Sequence, residues 1–110
     1  MAKTKSINKN LKKIVIDYIR HIQNKGIKIQ KAYLFGSYAR HKNNPWSDVD
    51  LCLISPQFVS ENETWELLWQ QRRTEDVDLM ISPVGFHPDD FIDEDPLAFE
   101  IKQTGIELEF

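Results

Sequence analysis

Ile29-Gln30-Lys31-Ala32-Tyr33-Leu34-Phe35-Gly36-Ser37 and, after ten intervening residues, Asp48-Val49-Asp50-Leu51-Cys52-Leu53-Ile54 decide how this chain folds. Each is a short run of β-branched, aromatic and aliphatic residues closed by turn chemistry, Gly36-Ser37 after the first and Ser55-Pro56 after the second, so each reads as a strand. Tyr38-Ala39-Arg40 offers the start of a short helix, and the Asn43-Asn44-Pro45 turn makes 41–46 a loop.

Outward from these strands the periodicity changes. Ile7, Leu11, Ile14, Val15, Tyr18, Ile19 and Ile22 recur at helical spacing and predict a first helix over 6–24, with Gly26 free to take the left-handed conformation that ends it. Ser60-Glu61-Asn62-Glu63 is a capping box, so a helix should run to about Arg73 and bury Trp65, Leu68 and Trp69. Asp76-Val77-Asp78-Leu79-Met80-Ile81-Ser82 reads as a third strand stopped by Pro83. The acidic stretch 89–95 is a loop or broken turn; Asp95-Pro96 caps a last helix to Thr104, and 106–110 alternates like an edge strand. The order predicts one α/β (α+β) domain over 1–110, a small mixed sheet of about four strands flanked by helices.

The chain has 110 residues, 41% of them hydrophobic and 28% charged, which suits a single soluble domain. One cysteine, Cys52, cannot form an internal bridge and points to a reducing, cytoplasmic home. No apolar run approaches the ~18–20 residues of a membrane span, and the N-terminal residues show no secretory h-region. Residues 1–31 carry nine Lys/Arg and one acid, a net +8, while 32–110 carry −11. Overall the chain is acidic, unlike a dedicated nucleic-acid binder, although its basic first helix could touch RNA or an acidic partner.

The chemistry concentrates in the two opening segments. Asp48 and Asp50, at i and i+2 of a strand, point to one face. Two carboxylates side by side repel unless a cation lies between them, and hard oxygen donors suit Mg²⁺ or Mn²⁺. Asp76 and Asp78 repeat the D-V-D-L pattern. Should that strand neighbour the first, Asp78 would bring a third carboxylate, and three can hold two divalent ions ~3.5–4 Å apart for in-line phosphoryl or nucleotidyl transfer. Gly36 lets the backbone approach a phosphate, Ser37 and nearby amides can donate to it, and Arg40 can reach a triphosphate. His21 and His87 have no metal-ligand spacing, and 89–95 has no EF-hand spacing.

Gly-Ser, ten residues, then Asp-x-Asp resembles the signature of the polymerase-β-like nucleotidyltransferase superfamily. Gly36-Ser37-Tyr38-Ala39-Arg40 and Ser47-Asp48-Val49-Asp50-Leu51 look like the flanks of its minimal nucleotidyltransferase (MNT) branch. The resemblance implies that Asp48 and Asp50 bind both metals, that Asp78 is the third carboxylate with Asp76 a lesser candidate, and that Gly36 and Ser37 hold the nucleotide phosphates. His41 stands where the family commonly has glycine. The implied activity is Mg²⁺-dependent transfer of a nucleotide, AMP from ATP, to a hydroxyl. A chain of this length leaves no room for an acceptor-binding domain, so the acceptor is expected from a partner or another copy of the chain. MNT proteins are usually paired with a HEPN-domain ribonuclease toxin, which makes this chain resemble an antitoxin that adenylylates its toxin. The alternative is a nucleotide-binding module that neutralises a partner by complex formation alone.

Overall fold

The computed structural model describes residues 9–39 and 47–110. The expected helix start at 6–8, Arg40, and the loop carrying His41 and Trp46 lie outside the described residues.

Helix α1 spans Lys9–Asn24 and buries Leu11, Val15, Tyr18, Ile19 and Ile22. The expected apolar stripe is thus the core face, and the chain leaves the helix through Gly26 at φ +94°. Strand β1 (Lys31–Phe35) pairs antiparallel with β2 (Val49–Ile54), Phe35 opposite Asp50 and Lys31 opposite Ile54. Helix α2 (Glu61–Gln70) starts at Ser60, whose hydroxyl accepts the Glu63 amide at 3.3 Å. Its buried face is Thr64 and Leu68; Trp69 is half-buried, and Trp65, expected inside, is 58% exposed. Trp65 stacks on Trp69 at 5.4 Å between ring centroids and covers it from the solvent side.

The third strand departs from its expected place. Thr74–Asp78 is a short helix, α3, and strand β3 is Ile81–Phe86, parallel to β2. Helix α4 (Pro96–Thr104) is capped by Asp95, which accepts the Leu97 and Ala98 amides at 2.9 and 3.0 Å. Strand β4 (Ile106–Glu107) closes the sheet in the order β3-β2-β1-β4, so β3 is an edge. Two carbonyls on its outer edge are occupied: Trp69 Nε1 donates to Pro83 O at 3.0 Å and Arg72 Nη1 to Ile81 O at 3.4 Å. Pro83, which has no amide hydrogen to offer, suits that edge.

The sheet is covered on both faces. Val49, Leu51 and Leu53 pack with Leu34, α1 and Leu68; Cys52 and Ile54 pack with Phe35 and Ile101 on the α4 side. The shift of the third strand has a local cause. Asp76 is fully buried and bound on both oxygens by Arg73, whose Nε and Nη2 donate at 2.8 Å each. The Arg73 amide donates to the same carboxylate at 2.8 Å, and Arg73 Nη2 also reaches Ile14 O of α1 at 3.2 Å. A buried acid in that pairing belongs to a helix start, which the Asp-x-Asp pattern disguised as a strand.

Asp76→Ala empties a fully buried site and leaves Arg73 with only its 3.9 Å approach to Glu75 and its bond to Ile14 O. It should lower unfolding free energy by about 3 kcal/mol, the low end for a broken buried pair because Arg73 keeps some contact with water. Urea unfolding reads this directly; a loss under about 1 kcal/mol would show that the pair does not anchor α3 to α1.

Candidate functional site

The motif residues meet at one end of the sheet, where β1 finishes and β2 begins. Gly36 opens a turn over 36–39 with φ +73°, a conformation that L side chains resist. A second constraint also keeps that position glycine. A Cβ there would overlap Asp50 Oδ2 and lie 3.1 Å from Asp50 Cγ. The Gly36 backbone and the Asp50 carboxylate are therefore in direct contact, so the Gly-Ser turn and the Asp-x-Asp segment form one candidate site. Ser37 and Tyr38 follow within the turn, half-exposed; the helix expected to begin at Tyr38 is a turn as far as Ala39.

Asp48 lies just before β2 and is exposed, while Asp50 is half-buried inside the strand. Their i, i+2 spacing directs both to the α4 face, the side that Cys52 and Ile54 occupy further along. The Val49 amide donates to Met80 O at 2.9 Å and ties this end of β2 to the start of β3. Cys52 gives no chemistry of its own: burial pushes its thiol well above the usual range, which keeps it protonated and inert.

The other predicted carboxylates are elsewhere. Asp76 is fully engaged by Arg73, which makes it structural. Asp78 ends α3, exposed, and is separated from β3 by Leu79 and Met80, with Met80 at φ +60°. It is not the mid-strand acid that the sequence pattern suggests. The residue of β3 in register with Asp50 is Ser82, half-buried. Sequence reading missed Ser82 because it set the strand several residues too early; the signal was Pro83-Val84-Gly85-Phe86, a continuation of the run past a proline read as a stop. Among the described residues no group of three or more His, Cys, Asp or Glu side chains is arranged to hold a metal.

A groove of about 660 Å³ lies at the far end of β3, between Phe58, Trp65, Phe86 and the acidic loop. Ser82 and Phe86 are four residues apart, about 13 Å along an extended strand. Glu61, Asp90, Glu94 and Asp95 line the groove and no Lys or Arg does. Such a wall repels a triphosphate, which leaves the Gly36–Asp50 end as the candidate nucleotide site.

A family model described as a nucleotidyltransferase domain matches residues 12–107, from α1 to β4. No curated protein and no solved structure gives a significant match.

Two glycines separate backbone strain from the carboxylate contact. Gly26 also has positive φ but nothing within 4 Å of a would-be Cβ. Gly26→Ala should cost about 1 kcal/mol, and Gly36→Ala about 2–3 kcal/mol because Asp50 must move as well. Equal losses in urea unfolding would show that the Gly36–Asp50 contact adds nothing.

Proposed function

The chain belongs to the nucleotidyltransferase domain family, and from that premise we propose that it transfers a nucleotide, AMP from ATP, to a hydroxyl on a partner protein in the presence of Mg²⁺. The observation that carries this reading is the contact of the Gly36 backbone with the Asp50 carboxylate, beside exposed Asp48, at one end of the sheet. Asp48 and Asp50 are hard oxygen donors on one face, the donor type that suits Mg²⁺ or Mn²⁺. A divalent ion there would neutralise triphosphate charge and polarise the reacting phosphoryl group.

The chain's own residues hold and orient. Gly36 admits a phosphate to the backbone, and the Ser37 hydroxyl and the turn amides donate to its oxygens. Arg40 adds a cation by sequence position. The acceptor oxygen forms a bond to the α-phosphorus, the α–β bridging bond breaks, and pyrophosphate leaves in line. The catalytic work is positioning and charge neutralisation.

The acceptor is read as a partner protein because Asp48 is exposed and Ser37, after the buried Gly36, is half-exposed, within reach of a side chain that another protein presents. The partner that fits is the HEPN-domain toxin with which MNT proteins are paired, in the cytoplasm. No described helix is long and apolar enough to cross a membrane. A second reading, nucleotide-dependent complex formation without transfer, is favoured by one observation: Ser82, not an acid, faces Asp50. Lys9, Lys12, Lys13 and Arg20 line one basic face of α1, where an RNA or an acidic surface would contact the chain.

Incubation with α-labelled ATP, Mg²⁺ and a HEPN-domain partner should label the partner. The double variant Asp48→Asn/Asp50→Asn should reduce labelling by at least about a thousandfold, as loss of metal and phosphate alignment would. Undiminished labelling in the double variant refutes the assigned site. Absence of label, with neutralisation intact in both proteins, selects complex formation.

A further inference from the structure

We propose that the metal–nucleotide site of this chain is built on two carboxylates, with the Ser82 hydroxyl standing where a third acid would face Asp50, so that it holds a divalent cation weakly and transfers slowly. This rests on the nucleotidyl-transfer reading above and concerns the same site.

The register carries the argument. Strands β2 and β3 pair over six residues, Val49 opposite Ile81 and Asp50 opposite Ser82. Paired residues of neighbouring strands project to the same face, so Ser82 is the β3 side chain beside Asp50. A one-residue slip would set Ile81 or Pro83, not an acid, beside Asp50. Ile81 is fully buried, and a one-residue shift would turn it out of the core and drive Ser82 into it. The Val49-to-Met80 hydrogen bond and the Trp69 and Arg72 bonds to the outer edge hold the same register from both sides.

Asp78 is four residues upstream. It ends a helix whose other acid, Asp76, is locked to Arg73. Drawing Asp78 into the strand would unwind α3 and pull Asp76 from that pair.

The chemical consequence follows from the donor. A serine hydroxyl brings no negative charge and is no base at neutral pH, whereas an aspartate brings both. Affinity for a hard cation rises with the number of charged oxygen ligands, so two carboxylates bind more weakly than three. In the transfer step the acceptor hydroxyl must lose its proton as its oxygen bonds to the α-phosphorus and pyrophosphate departs. With serine at 82 no carboxylate on β3 takes that proton; it goes to water, and the step is slow.

Titration with Mn²⁺ alone, reading free ion by electron paramagnetic resonance, tests the assignment without any activity measurement. Ser82→Asp, with Ser82→Glu as a second variant, should tighten Mn²⁺ binding by about tenfold or more. Asp78→Asn should bind as the wild type does, and Asp50→Asn should lose binding. Labelled transfer by the Ser82→Asp protein should rise in parallel. Circular dichroism confirms that each variant is folded; if neither Ser82 variant folds, Asp78→Asn decides alone. Weakening by Asp78→Asn equal to that by Asp50→Asn, or unchanged affinity in a folded Ser82→Asp protein, overturns the proposal while leaving the two-carboxylate site in place. Identical Mn²⁺ binding by wild type, Asp50→Asn and Ser82→Asp overturns the underlying functional reading with it.

Discussion

The buried pair between Arg73 and Asp76 sets the geometry of the site from a distance. Asp76 has no solvent contact, so its charge is tolerable only because Arg73 meets both oxygens and its own amide adds a further bond. The same guanidinium reaches the Ile14 carbonyl and so fixes α3 against α1. With α3 fixed, the chain has only Leu79 and Met80 in which to turn before β3 starts at Ile81, and Met80 takes φ +60° to do it. The start of β3 determines which side chain lies beside Asp50. With that ion pair in place, Ser82 rather than Asp78 lies in register with Asp50.

Most of the framework was legible because its signals were local. The α1 stripe, the capping Ser60 and Asp95-Pro96, and the two strands around Gly36 and Asp50 each follow from a few residues of periodicity or turn chemistry. The pairing of Gly36 with Asp50 was implied by the motif, and the structure supplies its physical form, a backbone so near a carboxylate that no side chain fits. What sequence could not show was non-local. Asp-Val-Asp-Leu at 48–51 enters a strand and the same letters at 76–79 form a helical turn, because the second set has Arg73 at the helix start to bind its first acid. Trp65 carried a core residue's composition and an exposed residue's position, since Trp69 already fills the space beneath it.

The two ends of β3 also divide the molecule's electrostatics. At its C-terminal end a roomy groove is walled by four carboxylates. At its N-terminal end are Asp48 and Asp50, a smaller concentration of the same charge. Concavity alone would select the groove as the ligand site. Charge and backbone geometry select the other end, where a glycine turn and hydroxyl and amide donors accompany the acids. The difference lies in what accompanies the carboxylates: around the groove one of them, Asp95, caps α4 and no glycine turn lies beside them, while beside Gly36 the proposed function would have them recruit a cation through which an anion is held.

That distinction bears on how the proposed site would bind a nucleotide with Ser82 in place. In the proposed function the Gly36 turn, Ser37, Asp48 and Asp50 would act on a bound nucleotide, and each would serve binding even when no transfer occurs. On the same proposal the β3 position bears on both cation affinity and the acceptor's proton. On that proposal a hydroxyl at that one position spares the Gly36–Asp50 contact, loosens the hold on the cation and supplies no base, so it lowers transfer more than it lowers nucleotide binding.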